Sequence, residues 1–182
     1  MAYKLHHLSW DMTIMLETTE QIISEQDLRD MAPSGVSSVY LEGIKFLRIE
    51  RQPQGRYNHV SARDNVLTNF QMSERYGVLG LIAHNYLAGR YFAQLKLGDH
   101  VYLMNGNGRS RKYRVDQILK FRAVRPRDPR SWFEDLQDNE MYTAAEVFRR
   151  VYMGSHHVVL QTCIAQGDLQ EWGRLFLVCK PV

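Results

Sequence analysis

His157-Val158-Val159-Leu160-Gln161-Thr162-Cys163 and Gly173-Arg174-Leu175-Phe176-Leu177-Val178-Cys179 are two short apolar runs separated by the polar stretch Gln166-Gly167-Asp168-Leu169-Gln170-Glu171. Length, β-branched content and the intervening turn residues predict two neighbouring strands joined by a tight loop. The first strand then ends on a thiol beside a polar loop, and the second returns with a guanidinium alongside it. Much earlier, Gly80-Leu81-Ile82-Ala83-His84-Asn85 ends another apolar run on an imidazole. These three groups suffice for acyl transfer: a thiol to attack a carbonyl, an imidazole to move protons, a guanidinium to hold the oxyanion. Cys179 alternates with Leu175 and Leu177 and reads as a small core hydrophobe.

Working outward, Val36 to Ile49 favours a strand interrupted by Gly43, and Arg51 to Arg56 is a loop. A strand from Gly77 to Ala83 delivers His84. Ala88 to Leu95 suits a short helix and Val101 to Met104 a strand. Asn105-Gly106-Asn107-Gly108 is a hairpin signal, because Asn and Gly tolerate positive φ. Lys112 to Val115 and Ile118 to Val124 read as further strands. Pro126 and Pro129 open a long connection that contains a helix from Thr143 to Tyr152, with Thr143 and Glu146 spaced as a capping box. At the other end of the chain, Met12, Met15, Leu16, Ile22 and Ile23 recur at helical spacing between Ser9 and Arg29, before the break Pro33-Ser34-Gly35. Many short strands with one or two inserted helices predict a mainly β domain closed into a barrel. The expected division is a helical appendage over residues 1–35 and a barrel over residues 36–182. No internal repeat or low-complexity segment interrupts it.

A chain of 182 residues with 45% hydrophobic content can bury a proper core, and a formal charge of +3 does not demand nucleic acid as partner. The nine basic residues between Arg109 and Arg130, interleaved with Tyr113 and Phe121, read as a solvated strand face. A nucleic-acid surface would use the same composition, and would show salt-sensitive affinity for oligonucleotides. Cys163 and Cys179 are poorly placed to bridge each other. No His, Cys or carboxylate grouping has zinc-ligand spacing, and the acidic stretch Glu134, Asp135, Asp138 and Glu140 lacks a calcium-loop pattern, so neither metal nor cofactor is expected. No run approaches the roughly 20 apolar residues that span a bilayer, and the first residues lack the apolar core of a secretory signal.

The chain resembles the sortase family of cysteine transpeptidases. The likeness is carried by Leu160-Gln161-Thr162-Cys163, by Arg174 opening the last strand, and by His84 followed by Phe92-Ala93-Gln94-Leu95-Lys96-Leu97-Gly98-Asp99. It extends in order over residues 36 to 182, with Val159 standing where the family usually has its first Thr. The resemblance implies a closed eight-stranded sortase-like barrel, with Cys163 as nucleophile, His84 as proton carrier and Arg174 as oxyanion donor. It also implies substrate contacts at Leu160, Thr162, Asn85 and Trp132, the last in the connection that forms one wall of the family's peptide groove. Asn85 has an equal claim as a turn or capping residue. The implied partners are a peptide sorting motif and an amine acceptor of the cell envelope or a pilin-like lysine, with water as the hydrolytic substitute. The family works outside the membrane behind an N-terminal anchor, which this sequence does not supply. A second reading keeps the barrel as a binding or scaffold module with its trio gated or idle.

Overall fold

Burial alternates along the last two strands, and that alternation builds the domain. In the computed structural model, which describes residues 35–106, 109–128 and 130–182, these are β9 (Val158–Gln166) and β10 (Leu169–Pro181). Val158 and Leu160, with Leu175, Leu177 and Cys179, face one core. Val159, Phe176 and Val178 face another. A strand with both faces covered must be apolar on both, which is why these runs read as nearly continuous hydrophobic sequence. Burying each such side chain contributes about 1.5–3 kcal/mol.

The remaining strands are β1 (Val36–Leu41), β2 (Lys45–Arg51), β3 (Val66–Phe70), β4 (Leu79–Ile82), β5 (His100–Asn105), β6 (Ser110–Ala123), β7 (Trp132–Asp135) and β8 (Met141–Thr143). They pair in the order β10-β9-β4-β3-β2-β1-β5-β6-β7-β8, and a further β10–β6 pairing closes the first eight into a barrel. The pair β7–β8 hangs outside the ring on β6. Among the described residues, two short helices, α1 (Gln71–Glu74) and α2 (Ala144–Tyr152), and a 3-10 helix at Ala88–Gln94 accompany it. None of the described helices is long and apolar enough to cross a membrane.

The expected eight-stranded barrel is therefore present, with differences of detail. The strand expected over residues 36–49 is a hairpin, β1–β2, that turns at Gly43, where φ is +70°. The two strands expected at 112–115 and 118–124 are one, β6. Opposite it Val178 pairs with Gln117 and Cys179 with Val115, so Asp116 is the extra residue of a bulge, tied to Lys180 at 2.8 Å. A bulge flips the alternation. Tyr113 and Val115 accordingly face the barrel interior, whereas Leu119 and Phe121 face outward.

That outward face is the floor of the second core. Strands β7 and β8 and helix α2 lie over it, with Phe133, Val147, Phe148, Val151 and Tyr152 packed against Phe121, Val159 and Phe176. The predicted capping box is formed: the Thr143 hydroxyl accepts from the Glu146 N–H, and the Glu146 carboxylate accepts from the Thr143 N–H at 2.7 Å. The helices expected between Ser9 and Arg29, and Asn107 and Gly108 of the expected turn, lie outside the described residues.

Candidate active site

Register brings the sequence-predicted trio to one end of the barrel. In the antiparallel β9–β10 pair, Arg174 stands directly opposite Cys163. By alternation both project to the outer face, the face of Gln161 and Phe176. Strand β4 runs parallel to β9 on its other side, with Ile82 opposite Gln161. Two residues on, His84 draws level with Cys163. The approach continues past the last ladder pair, because the Ala83 N–H donates to the Gln161 carbonyl at 3.1 Å. Cys163 is thus flanked by the imidazole-bearing turn on one side and the guanidinium-bearing strand on the other.

Several contacts hold the His84 turn. The Thr162 hydroxyl donates to the Ala83 carbonyl at 2.8 Å, and the His84 carbonyl accepts from the N–H groups of Leu87 and Gly89, each at 3.0 Å. Gly89 is required by close approach: a Cβ there would sit 2.2 Å from the Thr162 Oγ1 and 2.7 Å from the His84 carbonyl oxygen. The Asn85 amide donates to the Gln170 carbonyl at 3.0 Å, tying the turn to the start of β10. The His84 ring stacks on Tyr86 with centroids 5.2 Å apart.

Arg174 is equally constrained. Its Nη1 donates to the carbonyls of Glu171 and Gly173 at 2.9 Å each, its Nη2 reaches the Pro126 carbonyl at 3.5 Å, and its guanidinium lies 6.0 Å from the centre of the Phe133 ring. The Cys163 thiol is half-buried and unbridged. Burial pushes it above the ordinary thiol range, the Arg174 charge opposes that rise, and Glu171 adds to it. Cys179 is buried in the barrel core on the opposite face and pairs with Val158, several residues from Cys163.

Other expectations fall differently. Leu160 is fully buried inside the barrel. Its expected substrate contact is corrected to a packing role, because alternation turns it away from the face of Cys163. The Thr162 hydroxyl is spent on the Ala83 carbonyl, and Asn85 on Gln170, so both act on the turn that carries His84. Trp132 is half exposed on the face of β7 opposite Phe133, and Phe133 is the β7 residue that meets Arg174. Val159, where a Thr was expected from the resemblance, is buried among apolar side chains of the outer core. Gly89, Tyr86 and Phe133 were not singled out from sequence, since nothing in their spacing marks them.

A cleft of about 620 Å³ opens at the barrel mouth beside the thiol, lined by Thr162, Cys163 and Ile164 on one wall and by Asn85, Gly89 and Phe92 on another. Among the described residues no group of three or more His, Cys, Asp or Glu side chains could hold a metal ion.

No family model and no curated protein matches this sequence. Solved structures do match the fold. Sortase A of Listeria monocytogenes is similar with a TM-score of 0.52 at 13% identity, covering 81% of this chain and 87% of that one. Sortase C1 from Streptococcus agalactiae is similar with a TM-score of 0.50 at 18% identity, covering 90% of this chain and 79% of that one. At such identities the fold is what is shared, and the β6–β10 seam that closes eight strands into a barrel, with short helices between them, gives this chain the sortase-like fold.

Proposed function

We propose that this chain is a sortase-type cysteine transpeptidase, with residues 36–182 as its catalytic domain and residues 1–35 as an appendage. The observation that carries the reading is the register that sets Cys163 between Arg174 and the His84 turn. In the first half-reaction the Cys163 thiol gives its proton to His84 and its sulfur attacks the carbonyl carbon of a peptide sorting motif. The carbonyl π electrons move to oxygen, and that oxyanion is met by Arg174 N–H donors, a planar fork suited to the task. The tetrahedral intermediate collapses, the C–N bond breaks, and His84 hands its proton to the departing amine. A thioacyl enzyme remains. An incoming amine then repeats the steps in reverse order, losing its proton to His84 while the C–S bond breaks. The amine is that of a cell-envelope acceptor or a pilin-like lysine, which sets the working compartment outside the membrane; water in its place yields hydrolysis.

The test is intact-protein mass spectrometry after incubation with a library of Leu-Pro-x-Thr-Gly-like peptides, beside Cys163→Ala. An acyl adduct that requires Cys163 and is discharged by added amine is the expected result. One observation favours the second reading, a gated or idle barrel used as a binding module: three Arg174 N–H donors already serve backbone carbonyls. Equal, slow labelling of Cys163 and Cys179 by a thiol probe, unaltered in His84→Ala, decides for that reading.

A further inference from the structure

The barrel mouth beside Cys163 has a chemistry of its own. Strand alternation sends Thr162 and Ile164 to the face opposite Cys163, so the end of β9 borders two compartments, the outer face and the mouth. Among the described residues the mouth is walled by Ile118, Leu175, Ile164 and Phe92, which are apolar, and contains two cations, Arg90 and Lys120, and no carboxylate. Arg90 is committed to Asp64, with Nη1 at 2.9 Å and Nη2 at 3.1 Å from its oxygens. Lys120 sits opposite Leu175 on β6, and its carbonyl accepts from Leu136 in the β7–β8 turn. Its ammonium makes no ion pair or hydrogen bond among the described residues. A pocket of this size with apolar walls and one placed charge is the usual form of a small-ligand site. Arg174 does not line it, but Asn85 and Gly89 of the His84 turn do.

We infer that this mouth is the acceptor subsite, and that it takes an amine carried on an apolar stem with a free carboxylate that pairs with Lys120. The inference rests on the reading of Cys163 as the acyl carrier. In that chemistry both the departing and the incoming amine exchange a proton at His84, so the amine side of the thioester is the side walled by the His84 turn. The carbonyl oxygen belongs on the Arg174 side. An acceptor must attack as the neutral amine, and the Lys120 charge, with no carboxylate among the described lining residues, disfavours the ammonium form. Lys120 attracts the carboxylate and fixes the amine end toward the sulfur. Glu171, whose charge acts on the thiol, lies near the start of β10, where its carbonyl accepts from Arg174, and does not line the mouth.

Two readouts test this separately from acyl transfer. In the first, Cys163 is labelled at low ionic strength with 6-maleimidohexanoic acid or with its neutral amide. The sulfur adds to one alkene carbon and the other takes a proton. The acid is expected to label about three- to fivefold faster, the size of an exposed ion-pair effect. Lys120→Gln should erase that preference and Lys120→Glu invert it, with circular dichroism and melting unchanged in both. In the second, amine acceptors with and without a carboxylate discharge the thioacyl enzyme. Lys120→Glu should raise KM for the carboxylate acceptor several-fold more than KM for the acceptor without one. A labelling preference that survives Lys120→Gln overturns the subsite even where acyl enzyme forms. A preference that depends on Lys120 with no acyl enzyme from any peptide overturns the acceptor role and the transpeptidase reading together, and leaves an anion-selective thiol cleft.

Discussion

Gly89→Ala is the substitution that tests most directly how the fold holds His84. The added Cβ would lie 2.2 Å from the Thr162 Oγ1, 2.7 Å from the His84 carbonyl oxygen and 2.9 Å from the Ala83 carbonyl oxygen. Thr162 can rotate away only by abandoning its 2.8 Å hydrogen bond to the Ala83 carbonyl. Loss of a buried partner costs about 1–3 kcal/mol. The two carbonyls are backbone and cannot rotate away, so the turn itself must shift, with an overpacking cost of about 1–3 kcal/mol. The better helical propensity of Ala returns at most about 1 kcal/mol. A net destabilisation of about 2–4 kcal/mol follows, read as a lower urea midpoint at unchanged slope. The double variant Gly89→Ala/Thr162→Ala removes the tightest clash, so its cost should be smaller than the sum of the single costs. Peptide acyl transfer in Gly89→Ala should fall by more than tenfold, because the turn that moves is the one that carries His84. A Gly89→Ala protein within about 0.5 kcal/mol of wild type, or a strictly additive double variant, refutes the clamp.

Arg150 in α2 lies 2.9 Å from the buried Asp135 of β7 and stacks over Tyr142 at 5.2 Å. Arg150→Ala leaves a buried carboxylate without its cation and should cost about 3–5 kcal/mol, with Asp135→Asn recovering part of it in the double variant; urea titration of the three proteins checks this. Burial pushes Cys179 from an ordinary value of 9.0 up to about 12. A raised value means the fold favours the protonated thiol, so this stabilisation is complete below pH 9 and is lost as pH rises toward 12. At pH 10.5 the loss amounts to about 2 kcal/mol, and Cys179→Ala should flatten the alkaline limb of the stability profile. Arg174 holds the Cys163 thiol down against burial. Arg174→Gln should therefore move the pH midpoint of Cys163 alkylation upward, and a midpoint that stays or falls shows that Arg174 does not act on the sulfur.

His84 was legible because the apolar run of β4 stops just before it, a signal local to a few positions. The capping box at Thr143 was legible for the same reason. Cys163 and Arg174 were expected at a strand end and a strand start, whereas β9 runs on to Gln166 and β10 begins at Leu169, because the polar residues of that hairpin still pair. Strand β3 and the β7–β8 pair were not assigned. Residues 66–70 are buried throughout despite the polar Thr68 and Asn69, and the Thr68 hydroxyl accepts from the Ser61 N–H at 2.8 Å. The Asn69 amide donates to the Glu74 carboxylate at 2.7 Å, so side-chain hydrogen bonds to the flanking loops, which periodicity does not see, let these polar residues be buried. Leu160 illustrates the opposite failure. A motif places it near Cys163 in sequence, but the period of two turns it into the barrel. The Asp116 bulge is likewise invisible to periodicity, which sees two short strands where the chain has one with a change of face.

That change of face explains how a barrel of this size supports a site at all. Before Asp116, β6 sends Tyr113 and Val115 into the barrel, and after it Leu119 and Phe121 turn outward to meet β7 and α2. The outer layer so anchored sets Phe133 beneath the Arg174 guanidinium, and the turn between β6 and β7 supplies the Pro126 carbonyl to it. The same flip leaves Ile118 and Lys120 facing the mouth, beside Cys163. By absorbing the extra residue, the bulge preserves both surroundings of the thiol: an outer face with a held guanidinium, and an apolar mouth with a lysine whose ammonium pairs with none of the described residues. Deleting Asp116 would remove the unpaired residue and leave every later residue opposite the same β10 partner, so Lys120 should still face the mouth and Phe121 the outer core. The partly exposed ion pair with Lys180 that is lost is worth about 0–1 kcal/mol. The deletion variant should therefore keep its outer layer and its rate of Cys163 labelling, read by near-ultraviolet circular dichroism and alkylation kinetics; loss of either would show that the bulge itself, and not the faces on either side of it, holds the site.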